Sequence, residues 1–325
     1  MTPLLPWHQT PWRQLCGYLR QQRIPQALLI SGNKGLGKRQ LAERFAAVLL
    51  CQAPNAEGQV CGDCHGCKLH AAGNHPDLLV VGPDEPGKAI GINLIRELIA
   101  DTQLKPQYDT YRVVIIEPAD QLNRASANAF LKCLEEPTER TLIILITAKP
   151  AKLPITIASR CQRLTVTPPD RATVVAWLQA QSVANPEALA ALAQNSPFTA
   201  LDYANQQALT TRNDCFKVWL DIARHRASPV VIAEDWQKLP LLPLLSWLTS
   251  WLIELIRFKF QPQAGHLPFS SLELSLQELS EQLDLKHLYQ LYDLLLTARE
   301  RLDSQINKQM MLEEILIQWS ELNRS

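Results

Sequence analysis

The sequence predicts an open α/β domain followed by an all-α second half. Three observations carry this. Short, nearly all-apolar runs alternate with helical periodicities up to about residue 166. A glycine-rich loop, Gly32–Arg39 (GNKGLGKR), follows the first of those runs. Beyond Pro168-Pro169 the apolar residues step only by threes and fours. Alternating strand and helix, with a loop after the first strand, means a sheet whose ligands gather beyond its strand ends.

Taken in order, Met1–Arg13 is rich in Pro and Trp, and Trp7 and Trp12 are expected to staple the amino terminus to the first domain. Gln26–Ser31 (QALLIS) is the first strand, and Arg39–Leu50 reads as a helix with Leu41, Phe45, Val48 and Leu49 on one side. Asp77–Val81 (DLLVV), Tyr111–Glu117 (YRVVIIE) and Thr141–Thr147 (TLIILIT) fit strands buried on both faces of a parallel sheet. Gln162–Val166 adds one more, with helices at Ile92–Thr102 and Ser126–Glu136 between the runs.

From Asp170 to about Gln207 the pattern is helical and Ala-rich, interrupted at Asn195–Pro197. Apolar stripes then recur: Leu244, Leu248, Trp251, Leu255 and Phe258; Leu272, Leu276, Leu279 and Leu283; Leu288, Leu291, Leu295, Ala298 and Leu302. A last helix spans Ile306–Trp319, and Gln261–Ser270 reads as a loop. Such stripes make a helical bundle, with most of Trp219, Trp236, Trp247, Trp251 and Trp319 in its core or interface.

Bulk properties narrow the function. Lys+Arg and Asp+Glu both number 32, so no global field draws the chain to nucleic acid or membrane. Contact with DNA must be local or supplied by partners. The longest apolar stretch, Leu241–Phe258, contains Pro243, Ser246, Thr249, Ser250 and Glu254 and is too interrupted to span a bilayer comfortably. Met1–Arg13 lacks the charged-then-apolar layout of a signal peptide. A cytoplasmic protein is expected.

The loop fits G-x-x-x-x-G-K-[ST] except at its last position. Gly32, Gly35 and Gly37 let backbone N–H groups turn inward around an anion, and Lys38 would meet the outer phosphates. The final Ser or Thr holds Mg²⁺, and here it is Arg39. An ATPase also needs a carboxylate for the metal and one to activate water, at the end of an apolar strand. In VVIIEPAD (Val113–Asp120) Glu117 takes the first place and Pro118, with no acid function, takes the second. Asp120 reads as a helix cap, with help in binding a cation as the alternative, and Thr147 as a strand-ending hydroxyl. Hydrolysis in cis is not expected. Weak nucleotide or anion binding at Lys38 stays open, beside a solvated basic turn at Lys38-Arg39.

Cys51, Cys61, Cys64 and Cys67 give C-x9-C-x2-C-x2-C. Zn²⁺ takes four thiolates at tetrahedral corners, and a cytosolic chain disfavours disulfides. Four protein ligands leave no open position, so this zinc is expected to be structural. His65 and His70 lie close enough in sequence to compete. Cys16, Cys133 and Cys215 read as buried apolar thiols.

These residues together resemble the AAA+ subunits of the bacterial replicative clamp loader. The likeness rests on the glycine loop, the cysteine insertion, HPD (His75–Asp77), GINLIREL (Gly91–Leu98), ANAFLKCLEEP (Ala127–Pro137) and SRCQR (Ser159–Arg163). Within that family the chain is most similar to the delta-prime branch rather than the gamma/tau motor. The motor needs an intact loop, an acidic pair and an arginine in G-S-P-G-R-A. This chain has Arg39, Pro118 and NSPFTA (Asn195–Ala200), with Phe198 and Thr199 replacing Gly-Arg.

The resemblance implies a RecA-like AAA+ domain with a zinc module (about 51–67) over residues 1–166, a helical lid over 167–207 and a helical collar over 208–325. It implies assembly with gamma/tau and delta to place the sliding clamp on primed DNA, as a non-hydrolysing subunit of the polymerase holoenzyme. Arg160 of Ser159-Arg160-Cys161 would reach the ATP of a neighbouring subunit, with Ser159 and Cys161 shaping the loop; an ordinary surface ion pair is the alternative. Thr147 would stand where the family places its phosphate sensor, or simply end its strand; Glu135 and Glu136 would end a helix that orients subunits, or form a solvated acidic turn. Arg96 and Lys132 either face a central DNA channel or are solvated.

Overall fold

The computed structural model describes residues 3–323 apart from 56, 86, 104, 109, 137, 261–269 and 303–306. Five strands form one sheet: β1 Ala27–Ser31, β2 Leu78–Val81, β3 Arg112–Ile116, β4 Thr141–Thr147 and β5 Gln162–Thr165. Their order is β2-β3-β4-β1-β5, and every neighbouring pair is parallel. The expected α/β architecture, an open parallel sheet with helices around it, is what the chain builds.

Helices α1 (Gln9–Arg20), α2 (Lys38–Leu50), α3 (His65–Ala71), α4 (Ile92–Gln103), α5 (Arg124–Glu135) and α6 (Ile155–Ala158) surround the sheet. Side chains alternate across a strand, so β1, β3 and β4 each feed two cores. Leu28, Ile30, Val113, Ile115, Leu142 and Ile144 join Leu15 of α1 and Leu41, Phe45 and Val48 of α2. Leu29, Val114, Ile116, Ile143 and Leu145 join Ile95 and Leu98 of α4 and Phe130 and Leu134 of α5. All seven residues of β4 are buried. β2 departs from expectation: it is an edge strand, partly open along most of its length, with Val80 45% exposed. An apolar run cannot by itself distinguish a central strand from an edge covered on one face.

Local chemistry sets the helix ends. α5 starts two residues earlier than expected because Asn123 caps it, its side chain accepting from Ser126 N at 2.8 Å. Ser126 Oγ then donates to Ile90 O at 2.9 Å, tying α5 to the segment before α4. Asp120 is not a helix cap. It sits in the 3₁₀ turn Ala119–Gln121 and accepts the Thr147 hydroxyl proton at 2.5 Å.

A buried ion pair joins β2 to β3. Asp77 and Arg112 meet at 2.9 Å with side chains 0% and 5% exposed. Asp77 also accepts from Gln107 N and Tyr108 N, and Arg112 donates to Lys105 O at 3.1 Å and to Asp101 O. Removing Asp77 takes away the carboxylate that Arg112 and the Gln107 and Tyr108 N–H groups share. Asp77→Ala is expected to cost about 3–5 kcal/mol, read as a lower denaturant midpoint at unchanged slope. A loss below about 1 kcal/mol, the range of surface pairs, would show the pair is not what holds this edge.

Met1–Asp202 forms one compact unit and Tyr203–Ser325 another. The first also holds α7 (Arg171–Ala180), α8 (Pro186–Leu192) and most of α9 (Pro197–Asn205). Asp170 caps α7 through Thr173 N at 2.7 Å. The second unit contains α10 (Ala208–Ala223), α11 (Pro229–Trp236), α12 (Leu241–Phe260), α13 (Ser270–Gln282), α14 (Leu285–Arg301) and α15 (Lys308–Leu322). Trp219 and Trp319 stack at 3.9 Å, Trp319 Nε1 donates to Trp219 O, and Trp251 packs beside Trp219. The expected loop at Gln261–Ser270 lies outside the described residues except Ser270, which opens α13. The last helix begins at Lys308, capped by Asn307; Ile306 lies outside the described residues.

α12 is long and apolar enough, by length and composition, to cross a membrane. It is mostly buried inside its own unit, and Glu254 on it, itself buried, pairs with Arg257 at 2.8 Å. Those features belong to the central helix of a bundle.

Candidate functional site

The phosphate loop lies where the sheet order reverses, β1 standing between β4 and β5 with the loop leaving its carboxyl end. Gly37 opens α2 in the left-handed region at φ 72°, a conformation that favours glycine. Lys38 is buried, and its Nζ donates to Gly32 O and Asn33 O at 2.8 Å each. Burial pulls its pKa below the ordinary lysine value, and the Glu117 and Asp120 carboxylates partly oppose this.

The loop is covered by its own chain. Trp7 Nε1 donates to Leu36 O at 2.9 Å, and His8 Nε2 lies 2.7 Å from the same oxygen. A carbonyl only accepts, so Nε2 carries the proton. From the other side, Phe198 N donates to Gly35 O at 3.0 Å and Thr199 Oγ1 to Lys34 O at 3.4 Å. The approach is close: a Cβ on Gly35 would stand 2.1 Å from Thr199 Oγ1, and one on Gly37 2.9 Å from the Phe198 ring. Trp7, Trp177 and Phe198 pack edge to face above it.

Arg39 takes up the acidic groups nearby. Its Nε meets Glu43 at 2.6 Å and its Nη1 meets Glu117 at 3.5 Å. Burial works against its charge, but Glu43 and Glu117 outweigh that and raise its pKa. A fixed guanidinium thus faces the carboxylate that a metal-dependent ATPase would offer to Mg²⁺. Thr147 is spoken for as well: it donates to Asp120 and accepts from Lys149 N at 2.9 Å. The strand-ending role fits this geometry.

The four cysteines converge. Their Sγ atoms all lie within 4.8 Å of one another. Cys51–Cys61, Cys61–Cys67 and Cys51–Cys64 are 3.6, 3.9 and 4.0 Å apart. Four sulfurs at about 2.3 Å from a tetrahedral Zn²⁺ would stand about 3.8 Å apart. The thiols fit a metal ion of that size and softness. Cys51 caps the end of α2 and Cys64 caps the start of α3, so two helix ends fix the spacing. His65 packs against Tyr108 instead, at 5.4 Å between rings, and neither it nor His70 joins the cluster. Cys16, Cys133 and Cys215 are buried thiols, and burial pushes Cys215 up to about 11.

Arg160 stands apart from the loop, on the segment after α6. Its Nη2 meets Glu135 Oε1 at 2.7 Å, and its Nη1 donates to Thr156 O at 2.8 Å. The side chain is 39% exposed. Ser159 Oγ donates to Thr156 O at 3.2 Å, and buried Cys161 donates from Sγ to Ile157 O at 3.3 Å. Arg96 and Lys132 are exposed on α4 and α5. Sequence reading did not bring Trp7, His8, Glu43 or Glu135 to their partners. Trp7 and His8 lie about thirty residues before the oxygen they bind, and Glu135 25 before its arginine.

Comparison with known proteins agrees along the whole chain. Family models described as "DNA polymerase III, delta subunit" and "DNA polymerase III, delta subunit, C terminal" match residues 7–170 and 218–321. The DNA polymerase III subunit delta' of Pseudomonas aeruginosa is 34% identical, covering 99% of each chain. That of Yersinia pestis is 32% identical over 97% of this chain and 94% of its own. A gamma subunit-related protein from Thermotoga maritima shares the fold, at TM-score 0.52 and 19% identity over 97% of this chain and all of its own. On these grounds the chain belongs to the delta' family of DNA polymerase III subunits, the clamp-loader subunits of bacterial DNA replication.

Proposed function

We propose that this subunit is a stator of the clamp loader: it hydrolyses no ATP itself and lends Arg160 to the ATP site of an adjacent gamma/tau subunit. With gamma/tau and delta it would open the sliding clamp and place it on primed DNA in the cytoplasm. The observation that carries this reading is the covered loop. Lys38 spends two N–H groups on loop carbonyls, Arg39 faces Glu117, and Phe198 and Thr199 sit against Gly35 and Gly37. A nucleotide would have to displace all of these, and Pro118, with no acid function, stands directly after Glu117 where the residue that activates water is needed.

In this reading Arg160 is accessible and charged, and its planar fork suits phosphate oxygens. Residues 1–166 act as the AAA+ body, 167–207 as a lid closed on its own loop, and 208–325 as the collar joining other subunits. The cysteine cluster would hold one Zn²⁺, which bound there supplies structure and no catalysis. Cys51, Cys61, Cys64 and Cys67 would be its ligands.

The purified chain is expected to release no phosphate from ATP above a no-protein control, and ATP titration should leave the tryptophan fluorescence around Trp7 unchanged at micromolar ligand. Turnover at an ordinary motor rate would end the stator reading. Tight ATP binding without turnover would end only the claim that the loop is closed.

A further inference from the structure

The inference concerns Glu135 and rests on the donor reading of Arg160. Two acids end α5: Glu135 is its last residue and Glu136 its C-cap. A helix carries partial negative charge at that end, so cations are favoured there and acids are not. Helix stability therefore gives no reason for Glu135. Its contact does. The carboxylate reaches Arg160, 25 residues later, at 2.7 Å.

Arg160 is held at two points. Thr156 O takes one N–H of Nη1, and Glu135 takes one of Nη2. Thr156 belongs to α6, whose Ile157 is fully buried in the sheet's core. Cys161 beneath the loop is buried too and bonds to Ile157 O. The base of the arginine is thus tied to the core and its tip to α5. A guanidinium has five N–H groups. Two anchors leave the Nε–H and one N–H on each Nη for a further acceptor, on a side chain 39% exposed. An unbraced arginine must surrender its rotamer freedom when it meets a phosphate, and bracing removes that cost beforehand.

We propose that Glu135 is a positioning residue for Arg160: it aims the guanidinium before the neighbouring subunit arrives and stays bonded while the remaining N–H groups meet the neighbour's phosphate. The contact is a brace and not a latch that withholds the arginine, since it leaves three donors free for use.

The test uses the loader reconstituted from gamma/tau, delta and the full chain, with clamp and primed DNA, in single-turnover ATP hydrolysis. Glu135→Ala is expected to slow the Arg160-dependent phase about tenfold without moving the ATP concentration at half-maximal rate. Glu135→Gln keeps the oxygen acceptor and should retain most of the rate. In an Arg160→Ala background, Glu135→Ala should add nothing. A faster phase in Glu135→Ala would show a latch, and an equal slowing in the Arg160→Ala background would show a general structural role; either overturns the proposal. Arg160→Ala leaving hydrolysis untouched would remove the donor reading itself, an outcome distinct from every Glu135 result.

Discussion

Cys64→Ser is expected to release the metal and unfasten the segment between α2 and α3 while the sheet stays folded. Structural zinc contributes about 10–16 kcal/mol of apparent folding energy in isolated finger peptides. Here the ion would close a loop whose own bonds are few. Asn55 bonds to Gln59 and to its neighbours, N–H groups of Cys61, Cys64 and Cys67 rest on sulfur, Cys16 Sγ donates to Glu57 O at 3.3 Å, and Val60 packs on the core. Without a cation only weak S–H···S contacts at 3.6–4.0 Å hold those sulfurs together. The α/β cores lie under α1, α2, α4 and α5 and include none of the four thiols. Metal analysis should give one zinc per chain in the native protein and none in the variant, with new proteolytic cleavage confined to Gln52–Asp63. A variant that keeps its zinc, or a native protein that binds none, would contradict this account of the cluster.

The parallel sheet was legible because its strands are buried between helical layers, which makes them short continuous apolar runs. TLIILIT became a strand with both its ends where the run places them. DLLVV was misjudged as buried on both faces because hydrophobicity records that a strand is covered, not on how many sides; Val80 shows the open one. The start of α5 was misplaced because Asn123, a side-chain cap, outweighed the apolar periodicity that begins later.

At the site, the loop and the cysteine cluster could be read directly, since spacing within a short segment is their whole signal. The cover over the loop could not. Trp7, His8, Phe198 and Thr199 reach it from opposite ends of the first unit, and only the folded chain brings them together. Phe198 and Thr199 were visible as a missing Gly-Arg pair, but their contact with Gly35 was not. Asp120 likewise read as a cap by its type and position in a turn, and found the Thr147 hydroxyl only through the adjacency of β3 and β4.

Arg160→Ala carries the other large expected effect. Phosphoryl transfer spreads charge over the equatorial oxygens, and an arginine supplied from a neighbouring chain is worth about 10³–10⁵ in rate. In the free subunit that guanidinium is fully formed, partly exposed and braced at two points, while the chain's own loop is closed under Trp7 and Phe198. The most direct measurement is therefore single-turnover ATP hydrolysis by the reconstituted loader, native against Arg160→Ala, beside the same assay on this subunit alone. The account predicts no hydrolysis by the subunit alone, a full burst from the native loader, and loss from the variant of the ATP held at the one junction this subunit faces, with the remaining sites unaltered. An Arg160→Ala loader whose burst matches the native one in size and rate would contradict it.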